Sequence, residues 1–162
     1  MDQQDLGAMA RTIIDSIVYM VLGTADETGH PWISPVYFAS ESYREFYWMS
    51  SPDVTHSRNI AVRPQVSIVV FDSRVSVGMG QAVYMSAVAE ELTGVDFDRG
   101  VNLYNGRFLN PAELGVRPIR PEDVQAPALY RLYRATAFEH WVLDPAGHPD
   151  HRIAVNMSLE ND

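Results

Sequence analysis

Between residues 50 and 64 the chain reads SSPDVTHSRNIAVRP, which crowds Ser50, Ser51, Thr55, His56, Ser57 and Arg58 around the apparent start of a short helix. Hydroxyls, an imidazole and a guanidinium in that position are the groups that bind an anion such as a phosphate. The unpaired amides of a first helical turn and the positive end of its dipole add to them. The same residues also suit an ordinary capped helix with a polar, solvated face, and spacing by itself supports both readings. The sequence has no lysine, so all 12 of its permanently basic side chains are arginines. A phosphate contact here must therefore use arginine, histidine, hydroxyls or backbone amides.

Other chemistry-bearing residues are sparser. The histidines are His30, His56, His140, His148 and His151. The last two flank Asp150 in GHPDH, but a proline-containing turn lacks the helix or strand spacing that converges metal ligands, and no metal is expected. His140, beside Trp141 in an apolar run, reads as a packed or hydrogen-bonded histidine. VGMGQ (77–81) has glycines without the spacing or strand-to-helix context of a phosphate-cradling loop. Trp32, Tyr37, Tyr47, Trp48 and Trp141 offer faces on which a planar ligand can stack, although aromatics in strands serve the core more often. P-loop, GxGxxG, GxSxG and HExxH signatures are missing, and the absence of cysteine removes thiolate chemistry and disulfides. No side-chain catalyst stands out.

The elements that must position these residues can be read from periodicity. Leu6, Met9, Ala10, Ile13, Ile14 and Ile17 recur at helical spacing and predict an amphipathic helix over 4–17. Apolar and aromatic runs at 18–26, 32–40 and 45–50, separated by turn residues, predict three strands in a meander. Ser51 as cap and Pro52 in the first helical position predict a helix over about 52–62, ended by Arg63-Pro64. Strands are expected at 65–72, 82–92, 128–144 and within HRIAVNMS, with a helical and then irregular excursion over about 94–126. The sum is an α+β, mainly β chain, with six or seven strands in a closed or nearly closed antiparallel barrel with peripheral helices, and a sandwich as the competitor.

At 162 residues the chain fits a single domain spanning 1–162. A net charge of −9 argues against general binding of nucleic acid or of an anionic membrane. The acidic N-terminus lacks the order of a secretory signal, and no apolar run is long enough to span a bilayer, so a cytoplasmic protein is expected.

Taken in order, GHPWISPVYF, EFYWMSS, THSRNIAVRPQVSIVVF and VGMGQAVYMSAVAEEL resemble the FMN-binding split-barrel superfamily of pyridoxamine 5′-phosphate oxidase-like proteins, to which F420-dependent reductases are related. The resemblance implies a homodimer with FMN in a groove at its interface, acting as an oxidoreductase on a small molecule. It places the isoalloxazine against the backbone of Ile33, Ser34, Pro35 and Val36, with Met49, Ser50 and Ser51 at the end of the next strand. The phosphate falls to Thr55, His56, Ser57 and Arg58, and Gln81 and Trp141 match later cofactor-proximal positions. Relatives usually carry lysine where this chain has His56. F420 in place of FMN, or a non-catalytic flavin- or haem-binding protein, are the alternatives that the resemblance leaves open. Pyridoxamine phosphate oxidation itself is not expected, because HRIAVNMSLEND does not match the basic C-terminal motif of those enzymes.

Overall fold

The computed structural model describes residues 1–107, 115, 117–147 and 150–158. Helix α1 spans Gln3–Ser16. Asp2 accepts the Asp5 amide while the Asp5 side chain accepts the Asp2 amide, a reciprocal cap that fixes the first turn. Leu6, Ala10 and Ile14 are buried in the barrel core, while Met9, Ile13 and Ile17 pack against it at half exposure. The helix therefore buries the face expected of it.

The strands are β1 (Tyr19–Ala25), β2 (Pro31–Tyr37), β3 (Ala39–Glu41), β4 (Glu45–Ser50), β5 (Gln65–Phe71), β6 (Ala82–Glu91), β7 (Arg131–Leu143) and β8 (Arg152–Ala154). All pair antiparallel in the order β2-β1-β5-β6-β7-β4-β3, with β8 on the far part of β7. Phe38, fully buried, is the single residue between β2 and β3, so the two edges of the sheet are covalently joined and the sheet curls into the expected split barrel. The expected meander is corrected at this point. The second run breaks at Phe38, and β4 pairs with β3 and β7 rather than with β2. That break adds a strand and brings the count to eight among the described residues.

Two cores result. The interior holds Phe38, Phe46, Trp48, Met20, Leu22, Val70 and Val83 among others. The opposite face of β4 and β7 offers Tyr47, Met49 and Leu132 to helix α3 (Phe97–Gly106), which covers them with Phe97, Val101 and Tyr104. Gly100 lets α3 sit this close, since a Cβ there would collide with Leu92 and crowd Leu132 and Tyr47 at 3.2 and 3.3 Å. Helix α3 forms the helical part of the expected excursion and ends at Gly106; residues 108–114 lie outside the described residues. Just past α3, Arg107 caps α1 from a distance by donating to the Ile14 and Ile17 carbonyls, with its guanidinium over the Phe38 ring at 3.8 Å. Burial holds its pKa below the usual arginine value. No helix among the described residues is long and apolar enough to cross a membrane.

Candidate functional site

Helix α2 runs Thr55–Val62, three residues later than the sequence predicts. Ser51 explains the correction: its hydroxyl accepts the Asp53 amide at 3.2 Å, so it closes a local turn instead of capping the helix, and Pro52 falls within that turn. Val54 is the residue at the cap, in extended conformation and with no side-chain cap. The first-turn amides of Thr55, His56 and Ser57 are therefore open to an outside acceptor.

Three tethers hold this helix start against the sheet. Asn59 donates through Nδ2 to Thr24 Oγ1 at 3.0 Å in the interior, and Thr24 Oγ1 donates on to the Trp32 carbonyl. Arg63, past the helix end, donates to the Asp26 and Glu27 carbonyls in the β1–β2 turn. That turn is organised by Asp26, whose carboxylate accepts from the Thr28 hydroxyl and from the Thr28 and His30 amides, with Gly29 at φ +89°. The Thr28 hydroxyl bond is the leading reason that the Asp26 pKa lies below the ordinary carboxylate value. The third tether is His56 itself. Its Nδ1 is hydrogen-bonded to Ser34 Oγ on β2 at 3.1 Å and its Nε2 to Ser50 Oγ at the end of β4 at 2.8 Å.

His56 is 9 % exposed, and burial lowers its pKa. It is thus a neutral crosslink between two strands, with neither nitrogen turned to solvent as a charge. Arg58 is the exposed cation of this stretch, and its guanidinium has no hydrogen-bond or ion-pair partner among the described residues. Ser57 Oγ is buried near the Tyr133 hydroxyl without a hydrogen bond of good geometry. Ser34, Ser50, Thr55, His56, Ser57 and Arg58 thereby converge on one helix start.

The remaining expected residues are distributed around β2. That strand lies at one end of the sheet order and is hydrogen-bonded only to β1, so its second backbone edge is unpaired. Its alternation sends Ser34 and the buried Val36 inward and Ile33 and Pro35 outward. Ile33 shares the outer face with Trp141, where both line a groove of about 570 Å³ together with Tyr84, Ser67, Ser86 and Arg152. Gly23 forms part of its floor, and a Cβ there would come 2.5 Å from Ser67 Oγ. The Arg152 guanidinium stacks on the Tyr84 ring at 3.8 Å. The Met49 side chain belongs to the second core under α3, on the other face of β4 from Ser50. Gln81 stands just before β6, with a buried Oε1 that has no donor among the described residues. Tyr84 and Arg152 escaped the sequence reading; their signal was the pairing of Tyr84 with Trp141 across β6 and β7, which no local pattern reveals.

A larger cleft of about 1010 Å³ lies between the β3–β4 turn, β7 and the C-terminal segment. Trp141 is a wall it shares with the smaller groove, and no residue of α2 reaches it. His140 lines it, buried and donating from Nε2 to the Tyr43 carbonyl at 2.8 Å, as a packed histidine would. Among the described residues no cluster of three or more potential metal ligands occurs; His148 lies outside them.

Burial lowers the pKa of both His56 and His140 below the ordinary 6.5. The unfolded chain therefore binds more protons than the fold once the pH drops below about 6.5, and stability falls from there downward, by at most about 1.4 kcal/mol per pH unit for each histidine. The lowered carboxylates, Asp26, Glu45, Asp72 and Asp123, contribute only at more acidic pH. Thermal melts at pH 7, 6 and 5 should show a falling midpoint, with a shallower fall in His140→Gln. Equal midpoints at pH 7 and 5 contradict the burial of neutral imidazoles.

A family model described as pyridoxamine 5′-phosphate oxidase matches residues 6–142. No curated protein sequence matches the chain. Similar solved structures include a haem-binding protein from Mycobacterium smegmatis (17% identity, TM-score 0.70, covering 94% of this chain and 58% of that one). They also include the haem storage protein HutZ from Vibrio cholerae (19%, 0.64, 82% and 90%). A third is a protein related to general stress protein 26 from Clostridium acetobutylicum (12%, 0.66, 95% and 95%), of the pyridoxinephosphate oxidase family. At these identities the likeness is one of fold. The chain spans little more than half the length of the Mycobacterium protein.

Proposed function

Because the chain belongs to the pyridoxamine 5′-phosphate oxidase family, we propose that it binds FMN and acts as an oxidoreductase on a small molecule, as a homodimer with the cofactor at the interface. The observation that carries this reading is the uncapped start of α2, where open amides, Ser50, Thr55 and the unpaired Arg58 converge. This donor set suits a phosphate, since every group in it donates or is positive. The exposed backbone edge of β2 lies between that start and the outer groove. Ile33, Pro35 and Trp141 supply apolar and aromatic surface for the ring system. Bound flavin supplies hydride or electron transfer, while the protein orients and shields it.

Rows of small and apolar side chains support the dimer. Across the outer face, Pro35, Val21, Val69, Tyr84 and Trp141 stand in register, as do Ile33, Gly23, Ser67 and Ser86. In a chain of net charge −9 these rows meet charge only at their ends, where Ser86 pairs with Glu139 and the Arg152 guanidinium lies on Tyr84, and Ile33 is 71 % exposed. A second copy of the same face is the partner that such a surface suits. Ile33→Asp should convert the dimer to monomer in light scattering without lowering the melting temperature of the monomer fold. A wild type that is monomeric at all concentrations rejects the interface.

The function is tested by visible absorption of the purified protein and titration with FMN, F420 and haem. Saturable FMN binding, followed by reduction with NADH or NADPH and reoxidation by an added acceptor, supports the oxidoreductase. Haem binding in place of FMN assigns the non-catalytic alternative, with which the names of two similar structures agree. Preference for F420 assigns the deazaflavin alternative.

A further inference from the structure

The polar chain beneath α2 has a direction. An indole N–H can only donate, and Trp32 Nε1 donates to Ser34 Oγ at 3.2 Å. The other partner of that hydroxyl is His56 Nδ1, and the described residues offer the Ser34 proton no further acceptor. The proton is used only if Nδ1 accepts it. A neutral imidazole carries one proton, which then resides on Nε2 and is donated to Ser50 Oγ. The reverse tautomer would bring two donors to Ser34 Oγ and leave its own proton unused. Ser50 has no second hydrogen bond among the described residues, so its O–H is the unspent end of the series, beside the open amides of α2.

We infer that Trp32, Ser34, His56 and Ser50 form a one-way donor chain that fixes the His56 proton on Nε2 and presents the Ser50 hydroxyl as a donor to the phosphate of the flavin. This rests on the FMN reading given above and deepens it. His56 is then a positioning residue, and its burial keeps it neutral. Discrimination in favour of the phosphorylated flavin comes from an oriented hydroxyl here and from Arg58, with no second cation required. The exposed indole of Trp32 heads the chain from outside the phosphate site.

Long-range nitrogen–proton NMR of the uniformly nitrogen-15-labelled protein without ligand reads the tautomer directly. The expected result is His56 protonated at Nε2 with a lone pair on Nδ1; protonation at Nδ1 overturns the donor chain, whatever ligand binds. Ser50→Ala should reduce the ratio of FMN to riboflavin affinity about tenfold or more, the loss of one hydrogen bond to a charged acceptor. Trp32→Phe, which removes the head donor at an exposed site, should shift the His56 tautomer signals and lower the same ratio at unchanged melting temperature. A Ser50→Ala protein that keeps the wild-type ratio overturns delivery to the phosphate. Failure of the wild type to bind FMN rejects the flavin reading together with that delivery, and is distinguished by the tautomer spectrum, which needs no ligand.

Discussion

Arg58→Ala is expected to weaken FMN binding about 10- to 150-fold while leaving riboflavin affinity unchanged, the effect of deleting a charged hydrogen bond worth about 1.5–3 kcal/mol. Arg58 is the exposed, unpartnered cation on α2, whereas Arg63 is spent on the carbonyls of the β1–β2 turn and Arg131 on those of Ala128 and Tyr130. Its guanidinium can turn to a ligand without breaking anything in the fold, so the folding midpoint should stay within a degree or two of wild type. Isothermal titration with both flavins reads the difference. Equal loss for FMN and riboflavin would place Arg58 against the ring system or in a folding role, and the phosphate assignment would fail. Lysine at 58 should restore only part of the affinity, because a point charge replaces a planar fork.

Trp48→Ala carries the largest expected loss of stability, about 3–5 kcal/mol, or a fall in melting temperature on the order of 6–20 °C. Trp48 is fully buried and stacks on Tyr133, its partner across β4 and β7, at 5.6 Å and 15°. Deleting it empties the centre of the barrel, and the neighbours cannot collapse because they belong to hydrogen-bonded strands on both sides. The indole also brings a burden, since its buried Nε1–H has no partner among the described residues. Phenylalanine at 48 loses ring volume but removes that orphaned donor, and the opposing changes should leave Trp48→Phe within about 1.5 kcal/mol of wild type. A denaturant series on both variants tests the pair. If Trp48→Phe is as damaging as Trp48→Ala, the indole N–H has a partner and the interior differs from this description.

Apolar and aromatic runs bounded by turn residues made β1, β5 and β6 legible, and the helical spacing of Leu6, Ala10 and Ile14 made α1 legible, because burial on one face of a helix writes a period into the chain. Ser51-Pro52 misled for a local reason: serine binds its own turn as readily as it caps a helix. The β3–β4 connection carries no glycine, yet Ser42 and Tyr43 take φ of 51° and 54°, which residue type does not announce. The part of His56 lay further out of reach. Its partners stand 6 and 22 residues away, and only the curl of the sheet, which brings β2 near the end of β4, gathers them at one imidazole. Chemistry could be located on the helix from sequence, but whether the histidine served as charge or as crosslink depended on burial that no local pattern carries.

The prolines at 31 and 35 give β2 a further meaning. A strand at the margin of a sheet is a template on which another chain can add itself, amide to carbonyl, and lengthen the sheet without limit. Proline has no amide proton to offer, and the other margin, β3, is three residues long and follows after a single residue. Neither margin can seed a continuous ribbon across molecules. In the proposed dimer, contact is left to the broad outer face, where a patch that pairs with its own copy is exhausted once two have joined, so the margins that guard against fibrils would also limit the assembly to two.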